Sequence, residues 1–210
     1  MVLVTDGNST LEFGLAGADT SSHALVDGSR ITYPGVKPGM DLVYEVRAGQ
    51  VKEYVILSSA PTEPLVLDFP LTLGDMSVSE LGSGAFGLLT PSNALAFQIS
   101  DLWMLDSATT SAEPAFSEDV AASLVGGGTT LRLTPDHGWL TSAERVYPVT
   151  IDPTITKYTN DDTYVQSNIC CTDVSGETEM KSGTYDGGAT NDRRREAIRV
   201  GVPLLVLHAS

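Results

Sequence analysis

The chain has 210 residues, 41% of them hydrophobic and 19% charged, and its 27 acidic and 12 basic residues leave a formal net charge of −15. That length and apolar content suffice for one large β domain, or for one domain and part of a second. The charge argues against nucleic acid or an anionic membrane as partner, because phosphate binding needs clustered Lys and Arg, and no run reaches the roughly 18–20 apolar residues of a membrane-crossing helix.

Twenty Gly and eleven Pro, with abundant Thr, Ser and Val, favour short strands joined by many turns. The start, Met1-Val-Leu-Val-Thr-Asp, has no basic region, apolar segment or cleavage site and does not read as a signal peptide, so an export signal is expected either to have been lost or to lie upstream. Apolar alternation predicts strands at Leu11 to Leu15 and Ser29 to Tyr33, separated by the turn cluster Gly17-Ala-Asp-Thr-Ser-Ser. Tyr33 to Val46 holds two Pro-Gly-type turns and then alternation at Leu42, Tyr44 and Val46. Val51, Tyr54 and Ile56 supply a partner strand beyond Ala48-Gly49-Gln50, which makes this the clearest hairpin in the sequence.

Short strands are expected at Leu65 to Phe69, Leu71 to Leu73, Ala85 to Leu89, Ala94 to Ile99 and Leu102 to Leu105, a spacing typical of a meander or sandwich. Ser107 to Pro114 is weakly patterned. After a strand at Leu131 to Leu133, the run Asp136-His-Gly-Trp-Leu-Thr-Ser-Ala-Glu-Arg predicts the one short helix, tucking Trp139 and Leu140 under the sheet. Val146 to Thr154 then reads as a seam. Val149 and Ile151 alternate with polar residues, Pro148 and Pro153 bracket them, and the polar stretch Lys157 to Asp162 precedes a new strand at Asp162-Thr-Tyr-Val-Gln-Ser.

Each motif with a chemical reading has a plainer one. Gly82-Ser-Gly-Ala-Phe-Gly fits the spacing of a dinucleotide loop, but Pro91 and turn formers stand where the helix should run, so a β-turn is expected. Asn160, Asp161 and Asp162, with Asp152, gather oxygens suited to Ca²⁺, yet lack the spacing of a known calcium loop and read as a solvated linker. His137 sits in the turn-like Pro-Asp-His-Gly without a Gly-x-Ser-x-Gly elbow, and His23 and His208 lie far off. No pair of carboxylates stands out for glycoside hydrolysis. Cys170 and Cys171 are neighbours that cannot staple distant segments and read as incidental thiols, a vicinal or intermolecular disulfide being the alternative. Trp103, Trp139, Tyr164 and Tyr185 could stack on sugars, although both tryptophans, set among leucines, read as core. Asn8-Ser9-Thr10 is a glycosylation sequon expected to stay unused.

Two segments carry a family resemblance. Tyr33, Pro34, Val36, Pro38, Gly39, Asp41, Leu42, Tyr44, Val51, Lys52, Glu53 and Leu57 fill a phrase similar to "YPxVxPGxDLxYxxxxxxVKExxxL" in large secreted bacterial Rhs/YD-repeat wall-associated proteins. The stretch Val146 to Thr154, continuing into Asp162-Thr-Tyr-Val-Gln-Ser, resembles the junction in those proteins between a β module and a DNRLRE domain of carbohydrate-binding-module type. The resemblance implies framework positions and assigns no catalytic residue.

These readings converge on an all-β chain: a sandwich or meander module over residues 1–155, then a truncated start of a second β-sandwich over residues 156–210. The function they imply is a noncatalytic structural or adhesive module of an exported, wall-associated protein. Its expected partners are cell-wall or extracellular polysaccharide and the downstream domains of a longer parent, with no nucleic acid, membrane, metal or cofactor. A glycan-active hydrolase fragment and a decayed remnant without independent function are the alternatives.

Overall fold

The computed structural model describes residues 2–6, 9–47, 50–109, 114–157, 162–166, 183–184, 193–198 and 206–207. They form two compact units, one spanning Met1–Lys157 with Pro203–Ser210 and the other Tyr158–Val202. The architecture is all-β with antiparallel pairing, as the turn-rich composition predicts.

The first unit begins with β1 (Val2–Asp6) and β2 (Ser9–Phe13), which pair as a hairpin. β3 (Leu25–Asp27), β4 (Arg30–Lys37), β5 (Met40–Arg47) and β6 (Gln50–Leu57) follow as an antiparallel meander. Next come β7 (Leu67–Thr72), β8 (Ser77–Gly82), β9 (Ala85–Leu89) and the eleven-residue β10 (Leu95–Leu105). β11 (Phe116–Ser117), β12 (Val120–Val125) and β13 (Thr130–Pro135) lead to the helix α1 (His137–Thr141) and then β14 (Val149–Lys157).

Two sheets result. One has the order β3-β4-β5-β6-β14-β10-β9-β8, with β11 paired to β10. The other runs β12-β13-β7-β2-β1 and continues into β18 (Val206–Leu207). Both send alternate residues into one core. Leu11, Phe13, Leu67, Phe69, Leu131 and Leu133 of the smaller sheet belong to the same buried cluster as Leu42, Val55, Phe97, Ile99 and Ile151 of the larger. Phe13 meets Tyr44 edge to face at 6.1 Å between ring centroids, an arrangement that aligns ring edge with ring face. Each such side chain, fully buried, contributes about 1.5–3 kcal/mol of transfer free energy.

In the second unit, β15 (Asp162–Gln166) and β16 (Gly183–Thr184) flank β17 (Arg193–Ile198) in a three-stranded antiparallel sheet.

Several expectations change in detail. The first of the two expected Pro-Gly turns is a bulge inside β4. The register slips between Tyr33 and Lys37, Gly35 has a φ of +63°, and its N–H donates to Asp41 Oδ1 at 2.7 Å. Pro38-Gly39 is the true turn, closing Lys37 against Met40 with Gly39 at φ +71°. The strands expected at Ala94 to Ile99 and Leu102 to Leu105 are one strand interrupted by a bulge. β8 and β12 escaped prediction because their buried positions are sparse, as in the Ser77–Gly82 pattern of mostly exposed residues.

The strand at the seam runs further than expected. β14 runs straight through Pro153 and lies between β6 and β10, in the middle of the larger sheet. A proline there removes a ladder donor and normally marks an edge. Here Ser100 faces Thr154 while Trp103 faces Asp152, so β10 carries one extra residue opposite Pro153. The bulge accommodates the missing hydrogen bond and turns Trp103 onto the outer face beside Asp152.

Candidate functional site

β5, β6 and β14 carry charged and polar groups on both faces, and the alternation of β6 decides which goes where. Val51, Val55 and Leu57 face the core, so Glu53 must face it too, while Lys52 and Tyr54 face outward. Sequence neighbours with opposite charges are thereby placed on opposite sides of one sheet.

On the outer face, Lys52 Nζ donates to Asp152 Oδ2 and to Thr154 Oγ1, both at 2.9 Å. The Thr154 hydroxyl donates to the Asp152 carboxylate at 3.2 Å. Lys52 and Thr154 are directly opposed in the β6–β14 register, and Asp152 is the diagonal neighbour two residues on. The Asp152 side chain is fully buried and that of Lys52 only 14% exposed. The Lys52 ammonium lies 5.9 Å from the ring centres of both Tyr54 and Trp103, favourable positions over the negative ring faces. Trp103 in turn stacks obliquely on Phe116, which remains 55% exposed at the rim. Burial, reinforced by the charge of Asp152, pushes the Tyr54 hydroxyl above its ordinary range. Glu45, the residue of β5 opposite Lys52, is held below the usual carboxylate range by its 2.7 Å hydrogen bond from Arg47.

On the core face, Glu53 is 1% exposed, and Tyr44 donates its hydroxyl to Glu53 Oε1 at 2.6 Å. Burial pushes this carboxyl up to about 8, against the modest opposing effect of the Tyr44 hydrogen bond. At neutral pH Glu53 is therefore mainly a neutral acid in an apolar core.

A third constellation holds the loop after β10. Asp106, 4% exposed, accepts hydrogen bonds from the backbone N–H groups of Ala108, Ala115 and Val146 and an ion pair from Arg145. Burial pushes its carboxyl up, but the backbone donors and Arg145 together outweigh that and leave it below the ordinary value. Arg145 also lies 4.5 Å from the Trp139 ring centre.

A shallow depression of about 560 Å³ lies beside α1 and includes Glu118, Asp119, Asp136 and His137 in its lining. Asp136 caps the helix by accepting the Trp139 N–H at 2.6 Å. His137 Nδ1 is shut off from solvent and has no hydrogen-bond partner among the described residues. Among those residues no group of three or more His, Cys, Asp or Glu is placed to hold a metal.

Gly82-Ser-Gly lies at the β8–β9 hairpin and leads into a strand, with Ser83 at φ +51°, so the dinucleotide spacing is a turn. Asp152 belongs to the buried ion pair and has left the linker cluster proposed for it, while Asn160 and Asp161 lie outside the described residues. Trp139 packs against the core as expected. Trp103 does not; the bulge carries it to the outer face. Tyr164 is in β15, and Tyr185, Cys170, Cys171, His208 and Asn8 lie outside the described residues. Lys52, Glu53, Asp152 and Thr154 were not singled out as a site, although a Lys-Glu pair inside an alternating apolar strand is a legible signal, because one of the two must face the core.

No family model matches the chain, and no solved structure does. Curated relatives do. The tRNA(Glu)-specific nuclease WapA of Bacillus subtilis subsp. natto (strain BEST195) and the tRNA nuclease WapA of Bacillus subtilis (strain 168) are each 30% identical over 186 residues. The tRNA3(Ser)-specific nuclease WapA of Bacillus spizizenii is 29% identical over the same length. Each match covers 82% of this chain, and the chain spans 8% of the length of these relatives.

These relatives overturn two expectations. Proteins named for cutting tRNA replace the noncatalytic, adhesive, carbohydrate-binding reading, and the exclusion of nucleic acid does not hold for them. The physical reason is one of scale: the charge of −15 is a property of these 210 residues, and a segment covering 8% of a polypeptide does not set the partners of the whole. The expectation of no enzyme narrows likewise, since the relatives are named as enzymes of which the chain matches a small part. No helix of the described residues is long and apolar enough to cross a membrane.

Proposed function

We propose that this chain is a β-rich segment of a WapA-type tRNA nuclease polypeptide, and that tRNA is the substrate of the polypeptide to which it belongs. The observation that carries this reading is similarity across 82% of the chain to three proteins named as tRNA nucleases. A match over 82% of the chain reaches well beyond any single motif. The resemblance of Tyr33 to Leu57 to exported Rhs/YD-repeat wall-associated proteins supports placing the polypeptide outside the cytoplasm. In the fold that phrase is the β4–β5–β6 meander, where Gly35 and Asp41 close the bulge, Pro38 and Gly39 make the turn, and Lys52 and Glu53 supply a buried base and a buried acid.

The test is to express the chain within its full native reading frame and incubate the product with total tRNA, reading fragments on a denaturing gel. Site-specific tRNA cleavage is the expected result, and intact tRNA under conditions that support a purified WapA nuclease would overturn the proposal. The 210-residue chain assayed in parallel assigns the cleaving residues to this segment or to the rest of the polypeptide.

A further inference from the structure

We propose that Lys52 and Asp152 form a self-generated covalent cross-link, an amide between Lys52 Nζ and Asp152 Cγ that ties β6 to β14. The two groups already stand in reacting contact, Nζ to Oδ2 at 2.9 Å, although 100 residues separate them in sequence. Such placement turns a bimolecular condensation into an intramolecular one, with effective concentrations on the order of 10⁵–10⁸ M for well-oriented groups.

The step balances without an oxidant or an added reactant. Within the ion pair the Lys52 ammonium passes a proton to the Asp152 carboxylate, giving an amine and a carboxylic acid. The amine lone pair attacks Cγ, a carbon–nitrogen bond forms, and one carbon–oxygen bond breaks. The departing oxygen takes up a second proton from the nitrogen and leaves as water.

Thr154 touches both reactants. Its hydroxyl accepts from Lys52 Nζ at 2.9 Å and donates to the Asp152 carboxylate at 3.2 Å. It is positioned to pass the proton between nitrogen and oxygen and to hold the carboxyl oxygen as negative charge builds on it. The surroundings favour condensation over hydrolysis. The Asp152 side chain is fully buried, Lys52 is 14% exposed, and the rings of Tyr54 and Trp103 cover the ammonium, so little water reaches the bond. The competing intrachain dehydration of an aspartate, ring closure onto the next backbone nitrogen, is closed to Asp152 because residue 153 is a proline with no N–H.

Intact-mass measurement of the purified full chain, unfolded in denaturant, tests this directly. The wild type is expected to be lighter than its sequence by one water, with a protease digest yielding a branched peptide that joins the Lys52 and Asp152 fragments. Lys52→Arg and Asp152→Ala are each expected to restore the full mass. A wild-type mass equal to the sequence would overturn the proposal. So would a water loss that survives Lys52→Arg, since it would then arise elsewhere, for example at Asp27-Gly28. The wild-type mass and digest decide the matter even if neither variant folds.

Discussion

The two faces of β6 solve one problem in opposite ways. Outward, Lys52 is matched by Asp152, a hydroxyl and two aromatic rings. Inward, Glu53 accepts a hydrogen bond from the Tyr44 hydroxyl, has no cation within hydrogen-bond reach among the described residues, and is driven toward its neutral form by burial. A buried charge needs a partner, whereas a buried acid can give up its charge. Stability is therefore sensitive to composition on one face and to pH on the other.

The largest effect should come from breaking the outer face. Lys52→Met removes the cation paired with the buried Asp152 carboxylate, which costs about 3–5 kcal/mol before any covalent link is counted. Urea unfolding should show the midpoint falling by a correspondingly large step with an unchanged slope. Lys52→Met combined with Asp152→Leu should recover most of that loss, because an apolar pair of similar volume removes both charges of the pair. A double variant no more stable than the single one would mean that the pair contributes through geometry that packing cannot replace.

The inner face should respond to pH. An acid whose folded value is raised binds its proton more tightly in the native state, so stability is fully present below its ordinary value of 4.5. It declines as pH climbs toward the folded value of about 8. Glu53→Gln keeps an acceptor for Tyr44 and cannot ionise. It should flatten that decline and leave the variant more stable than wild type at pH 9, with little change below pH 4.5. Asp68 and Asp106, held low by their partners, act in the opposite sense and only at acid pH. A wild-type curve flat from pH 5 to 9 would show that Glu53 is ionised and matched in the native state.

How much of this was legible in the sequence follows from which interactions are local. The β5–β6 hairpin, the α1 helix capped by Asp136 and the turn at Gly82 rest on alternation and on residues within a few positions of each other, and all were readable. The central position of β14 was not, because its partners β6 and β10 lie some 50 to 100 residues away and a proline argued for an edge. Only the extra residue in β10 makes that proline tolerable. The Lys52–Asp152 site was lost for the same reason, as its halves are far apart in sequence and its aromatic cover depends on the bulge. The sequence did require that one residue of the Lys52-Glu53 pair face the core, and that inference could have been drawn.

The smallest effect comes from an ion pair that shares the chemistry of Lys52–Asp152 and differs in exposure. Arg132 of β13 holds Asp68 of β7 through two parallel hydrogen bonds, at 2.7 and 2.8 Å, between residues directly opposed in register. Its geometry is better than that of the buried pair, since the guanidinium fork matches the carboxylate. Yet its side chains are 42% and 31% exposed, so water solvates both ions once they separate and salt screens them while paired. Arg132→Ala should therefore lower the urea midpoint only slightly, a difference that shrinks further in high salt, whereas the deficit of Lys52→Met should be nearly salt-independent. Equal losses for the two variants would refute the view that burial, rather than hydrogen-bond geometry, sets what an ion pair is worth in this sheet.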